Sequence, residues 1–208
     1  PSYPNPGSVG SLSIGNRYLI DPALDLPRNT RFSGGIDQQI GTQARVSATY
    51  SYTKVDRSFR GENLNAPANG VRPDRNFNNV IRVVSDGAAR QHQVIASASW
   101  QFAMPSAALQ RNRFNIRRGG INASYFFGRA RNNTDGAFQP PATGDIAAEW
   151  GPAFGDVRHR VNIGLNSQAL KNLSANLNFS ASSGSTYNIT TGRDDNGDLF
   201  FNDRPLGD

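Results

Sequence analysis

The sequence predicts an all-β fold, an antiparallel up-and-down meander that forms part of a transmembrane β-barrel or assembles into one. Three observations predict it. First, residues 173–182 alternate without a break: Leu173, Ala175, Leu177, Phe179 and Ala181 are apolar, and Ser174, Asn176, Asn178, Ser180 and Ser182 are small and polar. Successive side chains of a strand point to opposite faces, so this segment has one greasy face and one wet face. Second, the pattern recurs at least three more times along the chain. Third, the connections alternate between short and long. In a meander this gathers the long ones at one rim, as in outer-membrane barrels. A β-sandwich has no reason to sort its loops in this way.

The elements follow in order. Residues 1–30 are an irregular lead-in, and 31–40 form a modest strand that ends at a tight turn, Gly41-Thr42. Across 43–57, Val46, Ala48, Tyr50 and Tyr52 face Arg45, Ser47, Thr49, Ser51 and Thr53 across the strand. A long loop rich in Gly, Pro, Asn and Asp covers about 58–89. In 91–102, Val94, Ala96, Ala98, Trp100 and Phe102 share a face opposite Gln93, Ser97, Ser99 and Gln101, and Ile95 is the exception. After a short connection near 104–110, the strand at 113–131 alternates Ile121, Ala123, Tyr125 and Phe127 with Asn122, Ser124 and Gly128. Its Gly119-Gly120 pair marks a bulge or bend. A second long loop covers about 132–156. Then 157–168 alternates Val161, Ile163 and Leu165 with Asn162, Gly164 and Asn166. A short connection at 169–172 leads to strand 173–182, and a third long loop covers about 187–208. The whole of 1–208 reads as a single barrel segment.

This pattern assigns the lipid-facing residues. They are Val46, Ala48 and Tyr50, then Val94, Ala96, Ala98 and Trp100, then Ala123 and Tyr125. Val161, Ile163 and Leu165 follow, and last Leu173, Leu177 and Phe179. Aromatic residues near strand ends (Tyr50, Tyr52, Trp100, Phe102, Tyr125, Phe126, Phe127 and Tyr187) fit girdles at the two membrane interfaces.

Composition bounds the rest. Apolar residues are 37% of 208, and the mean hydropathy is -0.55. No apolar run approaches the roughly 18–20 residues of a spanning helix. A barrel escapes that test because only alternate residues meet lipid. With no cysteine there are no disulfides and no thiolate metal sites. The net charge is +6, almost all of the cations being arginine, whose planar fork suits phosphate and carboxylate partners. The start at Pro1 carries no signal-peptide features, which implies a removed leader or an internal section.

The last third carries a family likeness. It holds Glu149-Trp150-Gly151-Pro152, then Asp156-Val157-Arg158-His159-Arg160-Val161. It continues with Ser183-Gly184-Ser185-Thr186-Tyr187-Asn188-Ile189-Thr190-Thr191-Gly192, with Arg193-Asp194-Asp195-Asn196-Gly197-Asp198, and with Phe201-Asn202-Asp203-Arg204-Pro205. This resembles the late barrel strands of TonB-dependent outer-membrane receptors, in the group with a carboxypeptidase-regulatory-like N-terminal domain. Asn63-Leu64-Asn65-Ala66-Pro67 and Arg72-Pro73 are similar too. The resemblance implies a barrel of about 22 strands, a plug inside it, and energised uptake through TonB. Plug, TonB box and a closing aromatic C-terminal strand are not recognisable in these residues, so the chain reads as a section of barrel wall or as a truncated relative that assembles differently. Open edges in lipid are not viable, because unpaired backbone groups there cost several kcal/mol each. Further strands or partner chains are expected to cover them.

Candidate sites are few. Asp194, Asn196 and Asp198 alternate like the first ligands of a calcium loop, with Asn202 and Asp203 to complete the shell; the competing reading is an Asx-rich turn. Arg57, Arg60, Arg72 and Arg75 crowd the first long loop, as a contact for lipopolysaccharide phosphates or as a solvated loop. His92 and His159 are isolated wall or rim histidines, and Glu62 and Asp135 have no partner at readable spacing. No GxSxG, HExxH, P-loop or cysteine nucleophile is present, so no enzyme activity is expected. The polar faces are Asn and Ser rather than Arg ladders, so nucleic acid is not an expected partner.

The expected function is a segment of a TonB-dependent receptor barrel in the bacterial outer membrane, taking up a large ligand such as a siderophore or glycan. Its expected partners are outer-membrane lipid and lipopolysaccharide, with TonB and a plug if it belongs to a full receptor. The alternative is a structural or adhesive all-β protein of the extracellular surface, joining other chains in an assembly.

Overall fold

The computed structural model describes residues 14–103, 118–142, 144–170 and 173–205, with backbone alone at 169 and 170. Eight strands run in chain order: β1 Arg17–Ile20, β2 Arg28–Ile40, β3 Ala44–Asn63, β4 Val80–Ala103, β5 Arg118–Asn132, β6 Gly151–Pro152, β7 His159–Leu170 and β8 Leu173–Ser182. They form one sheet in the order β2-β3-β4-β5-β7-β8. Every pairing along that path is antiparallel. β1 lies parallel against the start of β4, and β6 pairs with the end of β5. β2 and β8 are the open edges of this path.

The strands fall where the alternation placed them, and β8 has the bounds read from the sequence. Three differences have physical reasons. Part of the lead-in is ordered by pairing: Arg17–Ile20 aligns with Val80–Val83, and β2 starts at Arg28. The first long loop is shorter than 58–89, because β3 runs on to Asn63 and β4 begins at Val80. The sequence hid this extension because a bulge breaks the period. Register shifts occur around Ser58, and Arg57 takes a positive φ of 61°. An inserted residue moves the following side chains to the other face. Gly119 and Gly120, by contrast, hold regular register with both neighbours and form no bulge. Gly119 leaves room for the Phe102 ring, whose nearest atom would lie 2.3 Å from an added Cβ. The expected connections near 104–110 and at 171–172 lie outside the described residues, as does 113–117.

Gly87 stands opposite the bulge at Ser58. A Cβ there would meet the Ser58 carbonyl oxygen at 2.8 Å and Thr134 Cγ2 at 2.7 Å. Gly87→Ala is therefore expected to cost about 1–3 kcal/mol through forced backbone displacement. Denaturant unfolding checks this, and a loss below the error of the measurement counts against the contact.

The packed interior sits at one end of the sheet. Val80, Ile81, Val83 and Ala142 are the buried apolar residues, and Ile81 is wholly inaccessible. Val80, Ile81 and Val83 belong to the start of β4, and Ala142 to the connection between β5 and β6. Along the wall itself both faces are open, and Leu177 and Phe179 are 63% and 56% exposed.

Candidate functional site

The wall is built by register. Residues opposite one another in an antiparallel pair share a face, so the pairings can be followed across the sheet. One row joins Val46, Ala98, Ala123, Ile163 and Phe179. The row on one side of it joins Ile36, Ala48, Ala96, Tyr125, Val161 and Ala181. The row on the other side joins Ala44, Trp100, Ile121, Leu165 and Leu177. Every residue assigned to lipid thus lies on one face, with Tyr50 paired to Val94 in the next row up and Leu173 continuing β8.

The other face is polar and concave. Its rows include Asp37, Ser47, Ser97, Ser124, Asn162 and Ser180. Ser47 and Ser97 hydroxyls are 2.6 Å apart, Ser180 donates to Asn162 Oδ1 at 2.9 Å, and Arg45 Nε donates to Asp37 at 2.8 Å. Asp37, Arg45, Asn122, Asn162 and Asn178 line a cavity of about 610 Å³ on this side. Ile95 falls on the polar face beside Phe126, whose ring carries the Arg160 guanidinium at 5.7 Å.

Aromatic rings bracket the apolar face. At the loop end, Tyr50 OH meets His92 Nδ1 at 2.9 Å and Tyr125 OH meets His159 Nδ1 at 2.7 Å, with Tyr52 and Phe127 beside the same imidazoles. At the turn end, Trp100 and Phe102 pack at 5.2 Å. The strand from His92 to Phe102 is about 33 Å long at ~3.3 Å per residue. At a tilt of roughly 40° this gives about 25 Å of height, the thickness of the apolar band in outer-membrane barrels. Two aromatics expected in the girdles belong elsewhere: Phe126 faces the polar side, and Tyr187 is a loop residue, 80% exposed.

The rim is held by asparagine and arginine. Asn65 and Asn79 are each 1% exposed. Asn65 Nδ2 donates to the carbonyls of Asp74 and Phe77, both at 2.8 Å, and its Oδ1 accepts from Asp74 N–H at 2.7 Å. Asn79 Oδ1 accepts from Asn63 Nδ2 and Arg72 Nη1, both at 2.9 Å, and its Nδ2 donates to the Asp198 carbonyl at 2.6 Å. These bonds close the 64–79 loop and tie it to the segment after β8. Sequence reasoning missed this pair. The signal was present in the asparagines that flank the loop, Asn63 and Asn65 on one side and Asn78 and Asn79 on the other.

Of the four arginines read as an anion contact, Arg57 and Arg60 stand on β3 and Arg72 and Arg75 in the loop, and two of them are engaged internally. Arg60 is buried and makes a bidentate pair with Asp86 at 2.6 and 2.7 Å. Arg72 donates to carbonyls of Asn65, Asn78 and Gly197. Arg57 pairs with Asp25 at 3.2 Å, and Arg75 points to solvent. A guanidinium inside a loop needs acceptors, and the loop supplies them. Glu62 likewise has a partner, Arg82 at 2.6 Å.

The Asp-rich loop is folded by Asx-type hydrogen bonds. Asp194 Oδ2 accepts from Leu199 N–H at 3.0 Å and Asn196 Oδ1 from Asp198 N–H at 2.9 Å. Asp198 Oδ1 accepts from Phe200 N–H and Asp203 Oδ2 from Asp195 N–H, both at 2.7 Å. Asn202 donates to the Pro140 carbonyl at 3.1 Å. Among the described residues no three His, Cys, Asp or Glu side chains form a group that could hold a metal. These four oxygens serve the backbone, while Asp194 Oδ1 and Asn202 Oδ1 are buried without a hydrogen-bond partner; calcium at millimolar concentration is expected to leave the thermal midpoint unchanged, and a calcium-dependent rise would favour the metal reading.

Burial raises the Asp198 carboxyl above the ordinary aspartate range, opposed by the Phe200 N–H and the Asn196 amide and reinforced by the Asp194 and Asp203 charges. The folded loop therefore holds its proton where the unfolded chain has lost it, and its stability falls as pH rises from about 4 upward. Exchange protection at the Phe200 amide, corrected for the intrinsic rate, is expected to drop between acid and neutral pH. Asp198→Asn is expected to remove that dependence; an unchanged pH profile in the variant overturns the assignment.

Between the 133–158 connection and the segment after β8 lies a cavity of about 820 Å³. Exposed Phe154 and Tyr187 line it, with Arg158 and Asp156, whose Oδ2 is buried without a hydrogen-bond partner. Arg204 and Glu149 pair at 2.5 Å on its wall.

No protein-family profile matches the chain, and no curated protein matches it. Among solved structures it is similar to the outer membrane transporter YddB from Escherichia coli, with a TM-score of 0.56 and 14% sequence identity over 75% of this chain. The matched part is 20% of that transporter, so the chain spans about a fifth of its length, and the likeness is one of fold.

Proposed function

We propose that this chain is a section of the wall of an outer-membrane barrel transporter of the TonB-dependent receptor type. The observation that carries the reading is the single apolar face, about 25 Å tall between aromatic ends, backed by a concave face of Ser and Asn. A soluble sheet would cover that face with a second layer. The wall separates lipid from a hydrated lumen, and the loops above it present the Phe154 and Tyr187 cavity to the outside. The transported ligand is of the large kind, a siderophore or glycan, and plug and TonB supply the energised step.

Spin labels scanned along β4 and β5 in the chain reconstituted into lipid bilayers test this. Labels at Ala96, Ala98 and Ala123 are expected to be accessible to oxygen, and labels at Ser97, Asn122 and Ser124 to a water-soluble nickel chelate. Equal accessibility to the chelate on both faces, or a chain that folds in water with the apolar face covered, favours the adhesive assembly instead.

A further inference from the structure

The lining of the rim cavity of about 820 Å³ holds two residues with a buried oxygen that meets no donor. The first is Asp156, just before β7, whose side chain is 4% exposed. Its Oδ1 accepts from the Ala130 N–H at 3.0 Å. Its Oδ2 is unpartnered, and Arg158 Nε stands 4.0 Å away, beyond hydrogen-bond range. The second is Asn202, which donates Nδ2 to the Pro140 carbonyl at 3.1 Å and leaves Oδ1 buried and unpartnered. An acceptor buried without a donor is destabilising, and an O–H or N–H of a ligand relieves it.

The rest of the lining decides which ligand. Phe154 and Tyr187 are 83% and 80% exposed, so neither ring packs into the fold. Both offer a flat apolar face beside a concave polar site. Of the three arginines of the lining, Arg60 is held by Asp86 and Arg204 by Glu149. Arg158, the third, is half exposed beside Asp156. An anion would meet the unpartnered Asp156 oxygen and find two of the three guanidinium groups engaged. A compact cation would meet Arg158 at that same oxygen. A neutral polyol fits every group: its hydroxyls donate to Asp156 Oδ2 and Asn202 Oδ1, a neighbouring hydroxyl accepts from Arg158, and the C–H face of a sugar ring lies on an aromatic ring. The cavity is within the range of about 300–1,000 Å³ that holds small ligands, so it takes a short oligosaccharide.

We infer that this cavity binds a neutral oligosaccharide, with Asp156 and Asn202 as hydroxyl acceptors and Phe154 and Tyr187 as stacking platforms. Binding rests on the rim itself. That the bound sugar is cargo rests on the transporter reading above, within which it selects the glycan over the siderophore.

Saturation-transfer difference NMR on the full chain in lipid nanodiscs tests the site, with maltotriose, cellotriose, mannotriose and xylotriose as probes. At least one of them is expected to receive saturation at its ring C–H protons. Phe154→Ala/Tyr187→Ala removes two exposed rings without touching the packed rim, and is expected to weaken that trisaccharide about tenfold. Asp156→Asn retains an acceptor for the Ala130 N–H, and is expected to weaken it by on the order of tenfold as well. Ferric enterobactin, an anion, and spermine, a polyamine, are expected not to compete. Displacement of the sugar by either would make the cavity an anion or an ammonium site and overturn the assignment. Absence of saturation in all four sugars, or undiminished binding by the aromatic double variant, overturns it too. The spin-label scan keeps the two readings apart. Labels that divide the faces as expected while no sugar binds leave the wall standing and sink the site. A sugar bound by a chain whose faces are not so divided upholds the site and sinks the transport reading.

Discussion

Arginine at Ala123 is expected to cost the bilayer-embedded chain about 2–4 kcal/mol, and arginine at the adjoining Ser124 less than about 1 kcal/mol. Ala123 stands in the middle row of the apolar face, between Ala98 and Ile163. If the proposed membrane placement holds, a guanidinium there sits in hydrocarbon about midway between the aromatic ends, too far from either interface to reach headgroups easily. Ser124 stands between Ser97 and Asn162 on the concave face, where water and amide partners solvate the same group. The two sites differ by one residue and by one face. Urea unfolding from lipid vesicles, followed by tryptophan fluorescence, measures the difference. Equal costs, or a larger cost at Ser124, would mean that the polar face is the one in contact with an apolar medium.

The second large effect is expected at Asn79→Ala, a loss of about 2–4 kcal/mol confined to the rim. The substitution removes the acceptor of Asn63 and Arg72 and the donor to the Asp198 carbonyl in a site that water does not reach. A buried polar atom left unpaired costs more than its hydrogen bond returned. Hydrogen exchange is expected to show the 64–79 loop and the 191–203 segment losing protection together, since Asn79 joins them. Amides in the middle of β4 and β5 are expected to stay protected. Asn76→Ala provides the control, because that exposed amide reaches only Asp74. Independent loosening of the two segments would show that something else couples them.

The wall was legible in the sequence and the rim was not, and the difference is one of range. A strand with one apolar and one polar face must alternate at every step, so its period of two is written locally. This is why β8 could be bounded from Leu173 to Ser182 without its neighbours. The bulge at Arg57 shows the limit. One inserted residue hides the rest of β3, although Glu62 and Asn63 still pair with Arg82 and Ile81. The rim depends on contacts between residues far apart in the chain, such as Asn79 with Asp198 and Arg204 with Glu149. Composition announced that asparagines and arginines were present. It carried no information on which carbonyl each would meet, so four arginines read as an anion contact although two of them, Arg60 and Arg72, are internal struts.

By itself, the sequence determined an all-β chain with one apolar and one polar face and the positions of the wall strands. Tertiary structure alone decided that the faces align across six strands, which side is concave, how β1 and β6 extend the sheet, and what the loop side chains hold. The physical reason is that alternation is enforced residue by residue by the medium on each side. Register, curvature and loop hydrogen bonding are enforced by partners that only the folded chain brings within reach.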